Sequence, residues 1–161
     1  MNASPTWGVV ATIKAPTRDT LNFAAHHLDL GAHRVHVYLD APDPEAEAAL
    51  RAHPKCRVVL CNEDYWRRRA RKGRPDKHQS RQTLNATHCL NRRAQVDWLA
   101  HIDVDEFLWS EMTIADRLSQ VAPDRISARV RPVEALAPEP YKIDAEPYRT
   151  YKSCALSQAE R

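Results

Sequence analysis

The stretch Val96-Asp97-Trp98-Leu99-Ala100-His101-Ile102-Asp103-Val104-Asp105-Glu106-Phe107-Leu108-Trp109 runs from apolar residues into three acids. Trp98, Leu99, Ala100 and Ile102 predict a short strand, and a strand covered on both faces need not alternate cleanly. Carboxylates at the end of such a strand are costly to bury unless paired or bound to a cation. Asp103 and Asp105 are two apart, so in extended backbone both point to one side while Val104 points to the other. Two hard oxygen donors aimed together suit Mg²⁺ or Mn²⁺, which take few protein ligands and leave positions for phosphate oxygens. Alone, Asp-x-Asp is a weak pattern, more often met as two solvated acids where a strand becomes a loop. Its position favours the cation: it follows a buried strand in a chain that otherwise alternates strand with helix.

Working back from that stretch, residues 7–14 read as a first strand, β-branched and apolar at its centre. Pro16 and Thr17 open a helix with Asp19 in its first turn, Leu21, Ala25 and Leu28 as an apolar stripe widened by Phe23 and Leu30, and Gly31 as its stop. Val35, Val37 and Leu39 alternate with His36 and Tyr38 in a second strand that ends at Asp40. Asp43-Pro44 then caps a second helix, with Ala46, Ala49 and Leu50 as its apolar face. Cys56–Leu60 is a third strand. Strand, helix, strand, helix, strand with short connections predicts parallel βαβ units with right-handed crossovers. Residues 62–77 break the rhythm, with Gly73 and Pro75 marking a loop or broken helix. A third helix over residues 78–93, with Leu84, Thr87, Cys89 and Leu90 as its apolar positions, delivers the chain to the acidic stretch. Beyond Trp109, a short helix over residues 112–121 and a strand over residues 126–133 are expected. The fold class is α/β, a mostly parallel nucleotide-binding sheet flanked by helices over residues 1–135. An irregular segment follows over residues 136–161, and the architecture reads as incomplete at its carboxyl end.

Composition narrows the partners. The chain has 161 residues, 43% hydrophobic, enough for an ordinary core in one domain. Net charge is only +3, which speaks against nucleic acid, although Arg67, Arg68, Arg69, Arg71, Lys72, Arg74 and Lys77 crowd one segment beside Tyr65 and Trp66. No apolar run is long enough for a transmembrane segment, and the first residues carry no export signal, so a cytoplasmic location is expected. Cys56, Cys61, Cys89 and Cys154 form no zinc or redox spacing and read as reduced, partly buried thiols. The pairs His26 with His27 and His33 with His36 fit no strong zinc template, so packing or surface roles are expected.

Open α/β sheets bind ligands beyond the carboxyl ends of their strands, and Asp40, Asp103 and Asp105 all fall at such ends. With only three glycines, no phosphate-binding glycine loop can be drawn, so a nucleotide's phosphates would need a metal and basic side chains. Asp40 can accept from a base or ribose hydroxyl, Lys77 or Arg81 can add positive charge, and the cation can stabilise a departing diphosphate.

At these residues the chain resembles the family-2-like nucleotide-sugar glycosyltransferases of the GT-A fold, in the branch marked by Asp-x-Asp-Glu-Phe. The matching blocks are Ala25-His26-His27-Leu28-Asp29-Leu30-Gly31 and Val35-His36-Val37-Tyr38-Leu39-Asp40. Gln82-Thr83-Leu84-Asn85-Ala86-Thr87-His88-Cys89-Leu90 and residues 98–108 complete them. The resemblance implies sugar transfer from a nucleoside diphosphate sugar to a hydroxyl acceptor, glycan or lipid-linked, with Mn²⁺ or Mg²⁺. Carried over residue by residue, it assigns the nucleoside contact to Asp40 and the ribose and metal to Asp103 and Asp105; Lys77, Arg81 and Gln82 complete the candidate nucleotide-sugar contacts beside it. Glu106 would act from behind Asp105 or in a purely structural role. Two departures stand out. Lys14-Ala15-Pro16 replaces the usual Lys-Asn-Glu after the first strand, and no general base is identifiable, Glu134, Glu139 and Asp144 qualifying by position only. The competing readings are a non-catalytic relic or binding module of the same fold, and a nucleic-acid-binding domain using residues 67–77.

Overall fold

The computed structural model describes residues 4–135 and 151–153, and the chain divides into two units, Met1–Gln120 and Val121–Arg161. In the first unit, β1 (Trp7–Ile13), β2 (Arg34–Leu39), β3 (Cys56–Leu60) and β4 (Trp98–His101) form one parallel sheet in the order β3-β2-β1-β4. Its helices are α1 (Thr17–Asp29), α2 (Pro44–Ala52), α3 (Glu63–Arg69), α4 (His78–Arg92) and α5 (Ile114–Ser119).

A parallel sheet needs cover on both faces, and the alternation of β1 and β2 supplies two apolar surfaces. Val9, Ala11, Ile13, Val35, Val37 and Leu39 point to one core, which Phe23 of α1 and Leu50 of α2 fill. Val10 and Tyr38 point to the other, filled by Tyr65 and Trp66 of α3 and Cys89 of α4. Each such side chain taken from water contributes about 1.5–3 kcal/mol, so these two layers carry the fold. Short polar clasps set the register of the edge strand. The Asp97 carboxylate accepts from the Thr6 amide and hydroxyl, both at 2.7 Å, which places β4 beside β1 with Trp98 opposite Trp7.

Helix termini follow the sequence closely. Asp43 accepts from the Ala46 amide at 3.0 Å and starts α2, and Gly31 closes α1 with φ +94°. The faces do not. On α1 the buried positions are Thr20, Phe23, Ala24 and His27, while Ala25, expected inside, is exposed. On α4 they are Arg81, Asn85, His88 and Cys89, and Leu84 and Leu90 are 39% and 62% exposed. Ala49 of α2 is also exposed. In both long helices the buried polar side chains are hydrogen-bonded, which an apolar count cannot register.

Residues 62–77 are broken as expected. Asn62 caps the short α3, and a turn at Gly73 with φ +77° leads to α4. β4 ends at His101, so Asp103 and Asp105 lie beyond the strand and not in extended backbone. In the second unit the strand expected over residues 126–133 is absent from residues 126–132. Ile126 is fully exposed and Val130 is 64% exposed, so their alternation has no layer to bury against. β5 (Val133–Ala135) pairs instead with β6 (Tyr151–Ser153) in an antiparallel ladder. No helix among the described residues is long and apolar enough to cross a membrane.

Candidate active site

β1, β2 and β3 succeed one another in one direction across the sheet, and β4 returns to the far side of β1. The direction of winding therefore reverses between β1 and β4, and a crevice for ligands opens at the carboxyl ends of two such strands. Lys14-Ala15-Pro16 leaves β1 there and Ile102-Asp103-Val104-Asp105 leaves β4, with Asp40 one strand away at the end of β2.

Asp103, Val104, Asp105 and Glu106 form a closed turn. The Glu106 amide donates to the Asp103 carbonyl at 3.1 Å, and the Asp103 amide donates to Glu106 Oε2 at 2.9 Å. Gln82, one turn into α4, donates its side-chain amide to Asp103 Oδ1. Asp103, Asp105 and Glu106 are all exposed. Glu106 thus closes the turn, and the Asp105 carboxylate has no hydrogen-bond partner among the described residues. No group of three His, Cys, Asp or Glu side chains converges among the described residues. That donor set fails as an all-protein cage. A hydrated Mg²⁺ or Mn²⁺ completed by substrate phosphates would ask for fewer protein ligands, and Asp103 and Asp105 are the residues that would hold it.

Asp40 is arranged differently. Its side chain is wholly buried, and Oδ2 accepts from Arg81 Nε at 2.8 Å and from Arg74 Nη2 at 2.9 Å, while Oδ1 has no partner. Arg81 is spent inside the protein, because its Nη1 also donates to the Pro75 and Asp76 carbonyls at 2.8 and 2.6 Å. Asp40 and Arg81, both expected on the nucleotide, are therefore joined to each other. Charge alone explains the pairing, since either group buried singly is costly. Lys77, at the start of α4, is exposed. A cavity of about 310 Å³ opens at the ends of β1 and β2 between Lys14–Thr17 and Ala41–Pro44, but neither Asp103 nor Asp105 lines it.

Tyr65 and Trp66, considered as a surface for stacking bases, are buried at 7% and 1% exposure, and Arg69 lies over the Tyr65 ring at 5.5 Å. Burial pushes the Tyr65 hydroxyl up to about 12. Cys56, Cys61 and Cys89 are free and buried, with burial pushing the Cys61 and Cys89 thiols up to about 12. Cys154 lies outside the described residues. So do Glu139 and Asp144, and of Glu134 only the backbone is described, within β5.

Three residues had no place in the sequence reading of the site. Asn85 accepts from the Tyr65 hydroxyl at 2.6 Å and donates to Thr12 Oγ1 at 3.0 Å, tying α4 to the carboxyl end of β1. His26 and His27 reach from α1 to Leu108, just past the acidic turn. The available signal was spacing: Arg81 and Asn85 are four apart, as are Phe23 and His27, so each pair shares a helix face.

A model of glycosyltransferase family 92 matches residues 17–143, which span α1 to beyond β5. No curated protein and no solved structure matches the chain. The resemblance drawn from the acidic stretch thus holds for glycosyl transfer, while the family matched is family 92. With most of the chain matched, including every acid gathered at the strand ends, the protein belongs to glycosyltransferase family 92 and is a transferase.

Proposed function

We propose that the protein transfers a sugar from a nucleoside diphosphate sugar to a hydroxyl acceptor, using Mn²⁺ or Mg²⁺ held by Asp103 and Asp105. The observation that carries this reading is that two adjacent residues of α4 serve two acids. Arg81 reaches Asp40 after β2 and Gln82 reaches Asp103 after β4, one on each side of β1. Such a helix fixes the spacing between the nucleoside end and the diphosphate end of a donor. The ion would supply charge to the leaving diphosphate. Lys77 adds a positive charge at the same sheet end, Gln82 orients the Asp103 carboxylate, and the free Oδ1 of Asp40 is the acceptor left for a nucleoside hydroxyl or base.

One observation favours a second reading, a donor-binding module without turnover: Oδ1 of Asp40 is buried and Oδ2 is already paired with Arg74 and Arg81, so side chains must move before a nucleoside reaches this carboxylate. Thermal shift with UDP-, GDP- and dTDP-sugars, with and without Mn²⁺, tests donor binding. Metal-dependent stabilisation by one of them, lost in Asp105→Asn, is the expected result; release of free nucleoside diphosphate then separates turnover from binding. No shift with any donor removes the reading.

A further inference from the structure

From His101 to Gln120 the only buried residue is Leu108, at 8% exposure. Phe107 and Trp109 on either side are 47% and 76% exposed, while Ile102, Val104, Ile114, Ala115 and Leu118 pack part-buried against the core, so Leu108 is the segment's one buried anchor point. At that point both backbone polar groups are taken by consecutive side chains of another element. His26 Nε2 lies 2.8 Å from the Leu108 carbonyl, and the Leu108 amide donates to His27 Nε2 at 3.3 Å.

The ring chemistry makes the two roles unambiguous. His27 Nδ1 sits 2.8 Å from the Phe23 carbonyl, so it carries the proton and leaves Nε2 as the acceptor that the Leu108 amide needs. His26 faces a carbonyl, so its Nε2 carries the proton. Phe107 adds cover, edge-on to the His26 ring at 5.0 Å and parallel to the His27 ring at 6.1 Å. Burial holds His27 down to about 4, in keeping with a neutral ring.

We propose that His26 and His27 are positioning residues that fix the Asp103–Glu106 turn against the sheet. The turn is thereby pinned on both sides. Before it, the Ile102 amide donates to the Val10 carbonyl of β1 at 3.3 Å, and two residues after it the histidines hold Leu108. Five residues between two fixed points leave the carboxylates little room to drift. The inference rests on Asp103 and Asp105 binding the divalent ion.

His26 is the residue to change, because it is only partly buried, whereas His27 is wholly buried. The probe is Mn²⁺ alone, titrated by electron paramagnetic resonance into the full chain and into His26→Ala, His26→Gln and Asp105→Asn. Hydrogen exchange of residues 103–109 is followed in parallel. Asp105→Asn should abolish Mn²⁺ binding, and His26→Ala should weaken it about tenfold while exchange quickens in residues 103–109 and stays unchanged in β1 and β2. His26→Gln, whose amide nitrogen can donate where Nε2 does, should restore both. If Asp105→Asn loses the ion and His26→Ala keeps full affinity, the positioning role is wrong and the metal reading stands. Failure of His26→Gln to restore affinity also overturns it, since the hydrogen bond would then not be the agent. If the unmodified chain binds no Mn²⁺, the metal reading falls and takes this inference with it.

Discussion

Asp40 and Arg81 show how a residue can be legible while its role is not. An acid directly after a strand end stands out in the sequence, and Asp40 does lie at the sheet end. Its partner is 41 positions away and becomes visible only when α4 folds across the end of β2. Coulomb attraction between these two buried groups is large, but desolvation offsets most of it, so the pair adds little net stability. Removing one member is another matter. Arg81→Met leaves the buried carboxylate with Arg74 alone, itself 44% exposed, and should cost about 3–5 kcal/mol in urea unfolding. Adding Asp40→Asn should return much of that loss, because the uncompensated charge goes with it. A double variant no more stable than Arg81→Met would mean that the lost packing of Arg81, and not its charge, sets the cost. Asp103 and Asp105 were legible as a pair, yet their geometry was not. The strand stops at His101, so a turn closed by Glu106, and not the two-residue repeat of extended backbone, sets where they point.

Every strand of the sheet and the starts of α1 and α2 could be read from local chemistry: β-branched runs, a capping acid, a proline and a glycine. The apolar part of the α1 face could be read too, with Phe23 buried and Leu21, Leu28 and Leu30 packed on the core, but Thr20, His27, Arg81, Asn85 and His88, buried on α1 and α4 as polar groups with assigned partners, could not. A hydrophobic stripe looks for the wrong residues in a helix that packs through hydrogen bonds. Strand 126–133 failed for the opposite reason, an alternating pattern with no second layer to meet it. Two changes test the legible elements. A Cβ at Gly8 would stand 2.6 Å from the Arg34 carbonyl oxygen, where β1 and β2 are joined by backbone and neither can yield alone. Gly8→Ala should therefore destabilise by about 1–3 kcal/mol, read as a lower denaturation midpoint with unchanged slope. Asp43 caps α2 and also accepts from the Thr17 hydroxyl at 3.0 Å, joining the starts of α1 and α2. Asp43→Ala should cost about 1–2 kcal/mol, and Asp43→Asn, which can still cap, much less.

Three histidines buried in different layers couple the stability of the first unit to pH. His27 lies on α1 against one face of the sheet, His88 on α4 against the other, and His36 within β2. Burial is the leading cause that holds His27 and His88 down to about 4 and lowers His36, with Arg69, Arg93 and Arg92 adding to the effect at His88. In the unfolded chain each returns to about 6.5. Above that value both states are neutral at these positions and stability does not depend on pH through them. As pH falls from 6.5 towards 4 the unfolded chain binds protons that the folded chain excludes, so stability is lost on acidification and the loss levels off near 4. His27 alone accounts for about 2 kcal/mol by pH 5, a sizeable part of an ordinary domain's 5–15 kcal/mol. Most carboxylates titrate below this window, so urea midpoints at pH 7, 6 and 5 isolate the histidines. The midpoint should fall at each step, with protons taken up on unfolding. A midpoint constant from pH 7 to 5 would show that these rings are solvated or charge-paired in the native protein, and the Leu108 amide would then have lost the neutral acceptor assigned to it.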